Sequence, residues 1–195
     1  MTPKILVFAG SIRTGAYSGK TADAAQKELA LQGAEVTRIS LADYPLPIMD
    51  QDLEAEHGIP ENAYKLARLF VAHDGILIAT PEYNGSIPPL LKNAIDWISR
   101  VREDAGKPLR PLPGRIVALC SSSNGHFAGI RSASHLRQVL AHIQMDVIAP
   151  QLSVPNAGEA FDEDGTFVAE RLRKTMSEVC AALIERAWLL SGRVR

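Results

Sequence analysis

Lys4-Ile5-Leu6-Val7-Phe8-Ala9-Gly10-Ser11 is an unbroken apolar run that ends on a turn signal. A run this short, with no polar residue alternating into it, predicts a strand covered on both faces, as in a parallel sheet flanked by helices. Beyond it, Ala22, Ala25 and Leu29 share one helical face across residues 19–31, and Gln32-Gly33 supplies a stop. Residues 35–41, with Val36 and Ile39, predict a second strand. Residues 42–60 carry prolines and acidic groups without periodicity and predict a surface loop.

The alternation continues to the end of the chain. Leu66, Leu69 and Phe70 mark a helix over residues 61–73, and Gly75-Ile76-Leu77-Ile78-Ala79-Thr80 marks a third buried strand. Leu90, Leu91, Ala94, Ile95 and Ile98 form a helical stripe, followed by a fourth strand over residues 115–120 that runs into Ser121-Ser122-Ser123-Asn124-Gly125. Leu136, Val139, Leu140 and Ile143 give the next helix, residues 146–152 a fifth strand, and Leu172, Met176, Val179 and Leu183 a closing helix reaching about to Leu190. Five apolar strands separated by amphipathic helices predict an α/β three-layer sandwich around a five-stranded parallel sheet, because right-handed crossovers are nearly obligatory. The expected order is 2-1-3-4-5, with residues 1–195 as one domain. The winding direction then reverses between strands one and three, and ligands bind beyond the carboxyl ends of the strands there.

Composition narrows the function. The 195 residues are 46% hydrophobic and 22% charged, enough to bury a sizeable core. A net charge of -1, from 21 basic and 22 acidic side chains, lacks the basic excess that nucleic-acid or anionic-membrane binding requires. Cys120 and Cys180 each sit in an apolar stretch, which supports neither a disulfide framework nor a zinc site and fits a reducing cytoplasm. The start of the chain has neither a membrane span nor a signal-peptide layout. Asn84-Gly85-Ser86 matches a glycosylation acceptor, a pattern common by chance and without meaning in an unsecreted protein.

Two loops fall at the reversal. Gly10-Ser11-Ile12-Arg13-Thr14-Gly15-Ala16-Tyr17-Ser18-Gly19 leads from strand one into a helix, where free amides, the hydroxyls of Ser11 and Ser18 and the Arg13 fork suit a phosphate. A capped turn with a solvated arginine is the plain alternative. The spacing is neither GxGxxG nor GxxxxGK[ST], and Ser40 and Leu41 stand where an acidic ribose ligand would end strand two, which leaves a mononucleotide. Thr80-Pro81-Glu82-Tyr83-Asn84-Gly85-Ser86-Ile87-Pro88-Pro89 leaves strand three as a proline-bounded loop able to grip a flat heterocycle.

Pro81-Glu82-Tyr83-Asn84-Gly85-Ser86-Ile87-Pro88, followed by Leu91-Lys92-Asn93-Ala94-Ile95-Asp96-Trp97, resembles the signature of the NADPH-dependent FMN reductase family. Gly10-Ser11-Ile12-Arg13 resembles its phosphate-loop opening, and Gly129-Ile130-Arg131 with His135-Leu136-Arg137 the segment after its fourth strand. The resemblance implies a flavodoxin-like fold and a bound FMN. Ser11, Arg13, Tyr17 and Ser18 would hold the phosphate, helped by the Ala16 backbone amide; Pro81, Glu82, Tyr83 and Asn84 would line the isoalloxazine; Ser123 and Gly125 would close the site. It further implies hydride transfer from NADPH or NADH to flavin N5 and on to a small acceptor: a flavin, quinone, azo or nitro compound, or chromate. The cofactor carries the chemistry, so no side chain is nominated as acid, base or nucleophile. Homodimers or homotetramers with flavin sites near subunit boundaries are implied as well. Where the family often has Ser-Phe-Asn and Gly-Gly, this chain has Ala16-Tyr17-Ser18 and Ala128-Gly129, so phosphate binding should be weaker or differently shaped.

Other features carry less. His126 reads as a solvated loop histidine, Asp162-Glu163-Asp164-Gly165 as an acidic turn capping the closing helix, and Trp97 as an interface anchor. No metal motif is found, and no serine sits in GxSxG. A signalling receiver domain would need acidic residues where Gly10-Ser11 stand. A flavodoxin-type electron carrier, the alternative within the same fold, would show a marked acidic surface.

Overall fold

The computed structural model describes residues 2–191, without the side chain of Ser191. Five parallel strands, β1 (Lys4–Ala9), β2 (Glu35–Ile39), β3 (Gly75–Pro81), β6 (Ile116–Ser122) and β7 (Asp146–Val154), form one sheet in the order β2-β1-β3-β6-β7. Among the five sheet strands this is the expected order 2-1-3-4-5. The remaining two, β4 (Glu103–Asp104) and β5 (Lys107–Pro108), pair as a small antiparallel hairpin apart from the sheet.

Strand alternation divides the core. Ile5, Val7, Leu77, Ala118 and Cys120 face α1 (Tyr17–Leu31) and α6 (Glu170–Ser191). Leu6, Phe8, Ile76, Ile78, Val117 and Leu119 face α3 (Glu61–Ala72), α4 (Pro89–Arg100) and α5 (Ile130–His142). Both sides of the central strands are therefore apolar, which is why their sequences show no period of two. None of the described helices is long and apolar enough to cross a membrane.

The stretch expected as a loop, residues 42–60, contains the helix α2 (Gln51–His57) and opens within a single 3₁₀ turn at Leu41–Asp43. Asp50 caps α2 by accepting the Asp52 amide at 2.8 Å, and Arg100 fastens it through Glu54 at 2.9 Å. No residue of α2 is fully buried and Leu53 alone packs against the core, so the helix depends on its cap and its ion pair and shows no apolar stripe. Trp97 is not an interface residue. It is wholly buried, its Nε1 donates to the Pro47 carbonyl at 2.8 Å, and the same oxygen receives Asn93 Nδ2. The acidic turn caps itself and not the helix: Asp162 Oδ1 accepts the amides of Asp164 and Thr166, while α6 begins only at Glu170.

Candidate functional site

Three loops leave the carboxyl ends of β1, β3 and β6 and meet over the sheet. The first continues the β1 pairing through Gly10 N–H, which donates to Ala79 O at 2.8 Å, and then bends back. Arg13 N–H donates to Ser11 Oγ at 3.3 Å, and the Arg13 guanidinium curls onto the carbonyls of Thr14 and Gly15. The Ala16 amide expected to serve a phosphate is instead engaged in the turn, donating to Arg13 O at 3.0 Å. Ala16 gives α1 no side-chain cap, so the amides ahead of Lys20, the first to bond back along the helix, have no partner in it. Such a bare helix start attracts anions.

The second loop is a two-residue hairpin. Tyr83 and Ser86 exchange backbone hydrogen bonds at 2.9 and 3.0 Å, and Asn84 (φ 51°) with Gly85 (φ 77°) adopts the left-handed pair that an Asn-Gly turn favours. The hairpin is held to α5: Ser86 Oγ meets His135 Nδ1 at 3.1 Å, and Glu82 binds the Arg131 guanidinium at 2.9 Å.

The third loop is locked to the end of β7. Ser123 N–H donates to Val154 O and Ala157 N–H to Ser123 O, both at 3.1 Å, while Asn124 Oδ1 accepts Gly158 N–H at 3.0 Å. Gly158 lies so close that a Cβ there would stand 2.9 Å from Asn124 Oδ1 and 3.2 Å from the Tyr17 hydroxyl. Ala128, where the family often has a glycine, takes a left-handed φ of 57°.

Between these loops is a half-open cleft of about 160 Å³. The first loop and the start of α1 line it with Ser11, Arg13, Ala16, Tyr17 and Ser18, the second loop with Pro81 and Tyr83, and the third with Ser123. Three expected residues are not in its lining. Glu82 turns toward α5, Asn84 occupies the exposed hairpin tip, and Gly125 bonds back to Ser123 Oγ. Two further residues do line it, Ser122 and Asn124. Strand β6 runs two residues past the expected end; Ser121 Oγ turns to Ala128 O and Ser153 Oγ, and alternation then directs Ser122 the other way.

Ser18 and Ser122 are 1% and 2% exposed, and both hydroxyls lack a hydrogen-bond partner among the described residues. A buried hydroxyl without a partner is costly, and two lining one cleft point to a polar ligand that satisfies them. Arg13 is the one charged side chain among the described lining residues, so the field in the cleft is positive. Orphan hydroxyls, a helix start and a guanidinium fork held only by long bonds to Thr14 and Gly15 fit the phosphate and polyol portion of a mononucleotide, and the Pro81–Tyr83 wall offers an apolar edge to a flat ring.

The model of the family described as NADPH-dependent FMN reductase matches residues 3–159. A quinone reductase of Escherichia coli is 38% identical over 146 residues, covering 74% of this chain and 73% of the relative. An NAD(P)H-dependent FMN reductase of Pseudomonas aeruginosa is 33% identical over 182 residues, 92% of each chain. Among solved structures, the flavoenzyme NAD(P)H:(acceptor) oxidoreductase FerB of Paracoccus denitrificans superposes with a TM-score of 0.80 at 25% identity, covering 96% of this chain and 98% of that one.

Proposed function

The chain belongs to the NADPH-dependent FMN reductase family, a family of NAD(P)H-driven flavin enzymes, and we propose that its three-loop cleft holds FMN and passes reducing equivalents from NAD(P)H to a small acceptor of the quinone class. The observation that carries the assignment of the site is the pair of buried hydroxyls on Ser18, at the start of α1, and Ser122, at the end of β6, which line one cleft from two sides without a partner among the described residues. Bound FMN would supply the redox chemistry, carrying reducing equivalents from NAD(P)H to the acceptor.

The chain's own residues bind and orient. Ser11, Ser18 and the start of α1 receive the phosphate, and Arg13 exchanges its weak bonds to Thr14 and Gly15, at 3.2 and 3.5 Å, for charge-assisted ones. Ser122 and Asn124 meet the polyol. Pro81 and Tyr83 set the edge of the ring, while Glu82 holds that loop in place from behind through α5. Quinone reduction is favoured among the acceptors because the E. coli relative carries that activity in its name and matches across three-quarters of both chains.

Ile12, Tyr83, Phe127 and Ile130, exposed by 45% to 61%, come from all three loops and their flanks. Apolar groups grouped at one end of a molecule are a common mark of subunit contact, and they support a homodimer or homotetramer with the cleft near the boundary. Two buried free thiols are in keeping with a reducing cytoplasm.

The test is retention of a visible flavin spectrum through desalting, with riboflavin in parallel. FMN should be kept and riboflavin lost, and Arg13→Ala should weaken FMN by about tenfold or more. Equal binding of the two flavins overturns the assignment of the phosphate loop.

A further inference from the structure

At the opposite end of the sheet from the three loops, the segments entering β6 and β7 and the one leaving α4 line a half-open cavity of about 400 Å³. Its walls are tied to one another. Gly114 N–H donates to Gln144 O at 2.8 Å, Asp146 N–H to Arg115 O at 2.9 Å, and Leu109 N–H to Arg102 O at 2.8 Å. The β4–β5 hairpin, with Arg102 before it and Arg110 after it, is clamped from the side by Arg68, which donates to both Asp104 oxygens at 2.6 and 2.8 Å. The cavity is therefore a built feature and not a gap between loose loops.

Its chemistry is divided. Val101 and Leu112, 1% and 3% exposed, form an apolar floor with half-buried Ile143. Arg102, Arg110 and His142 stand exposed at the rim. Neither arginine side chain makes a hydrogen bond or ion pair among the described residues, and no carboxylate is among the residues lining the cavity. Helices α4 and α5 both end here, and their carbonyl ends bring about half a negative charge each, less than two guanidinium groups supply. The cavity keeps a net positive field over an apolar floor.

That combination fits one ligand class. A flat hydrocarbon body loses its water against Val101, Leu112 and Ile143, while anionic oxygens meet the guanidinium forks above them. We propose that this cavity is a second ligand site, separate from the flavin cleft, for a small aromatic anion bearing a carboxylate or phosphate. It lies at the amino ends of β6 and β7, a sheet's length from the cleft at the carboxyl ends, so its occupant is an effector and neither the cofactor nor the acceptor that the flavin reduces.

The test uses protein saturated with FMN, so that the cleft is filled, and titrates naphthoate, naphthyl phosphate and uncharged naphthalenemethanol by calorimetry and by the methyl NMR signals of Val101, Leu112 and Ile143. The site predicts that at least one anion shifts those methyl signals and binds about tenfold or more tighter than the alcohol. Which anion binds tighter separates carboxylate from phosphate recognition. The Arg102→Gln/Arg110→Gln double variant should lose that advantage. Absence of methyl shifts with both anions, equal binding of the alcohol in the wild-type protein, or anion binding unchanged in the double variant overturns the proposal.

Discussion

The Glu82 carboxylate, in the loop after β3, accepts the Arg131 guanidinium at 2.9 Å and the backbone amides of Arg131 and Ser132 at 3.2 and 3.4 Å, so one loop of the cleft caps the helix that follows another. Its side chain is only 13% exposed. Glu82→Ala leaves the first turn of α5 without its acceptor and Arg131 without its partner, and should lower stability in urea by about 1–2 kcal/mol. FMN binding should weaken as well, because Pro81 and Tyr83 flank the lost anchor. Glu82→Gln keeps an acceptor for the amides and should recover much of both losses.

Ser18→Ala separates binding from folding. Without ligand, the Ser18 hydroxyl is a buried group with no partner among the described residues, so its removal should leave stability unchanged or raise it by up to about 1 kcal/mol. The same change should weaken FMN by about tenfold. Thermal melts of flavin-free protein and FMN titrations read the two effects independently; a loss of apo stability would mean that the hydroxyl already has a partner.

Gly158→Ala places a methyl where 2.9 Å separates it from Asn124 Oδ1 and 3.2 Å from the Tyr17 hydroxyl. The loop after β7 must move away or Asn124 must swing, and either breaks the 3.0 Å bond that holds Asn124 at the cleft. FMN affinity should fall by about tenfold, with a stability loss of about 1–2 kcal/mol. Fluorescence of free against bound flavin measures the first and urea unfolding the second.

Burial pushes the Cys120 thiol up to about 12 from its ordinary 9.0 and raises Cys180 as well, with the neighbouring thiol adding to the latter. A thiol that ionises less readily when folded lends its full stability below pH 9 and loses it progressively toward pH 12. Unfolding free energy should therefore decline above pH 9, by at most about 1.4 kcal/mol per pH unit for each thiol. A thiol reagent at about pH 8 should label neither cysteine until the protein unfolds; rapid labelling of the native protein would contradict their burial.

Much of this architecture can be read from runs such as Lys4–Ala9 and Gly75–Thr80, because apolar runs too short for a helix and bounded by turn residues fit strands buried on both faces. Helix α2 could not be read, since it buries no residue fully and depends on Asp50 and on Arg100, which is distant in sequence. Trp97 misleads for a related reason: the sequence shows an aromatic on a helix, while the Pro47 carbonyl that satisfies its indole lies in an irregular loop. At the cleft, the loops were legible but the direction of side chains within them was not. Glu82 points away because α5 offers it two amides and a guanidinium, and Ser122 points in because β6 extends far enough to keep alternating.

The most direct measurement mixes the purified, FMN-loaded protein with NADPH under anaerobic conditions and follows the visible flavin absorption, then adds a quinone. The account predicts that NADPH bleaches the flavin without any partner protein and that the quinone restores the colour. A flavin that stays oxidised with NADPH and NADH alike would contradict it and point to an electron carrier that needs a separate reductase.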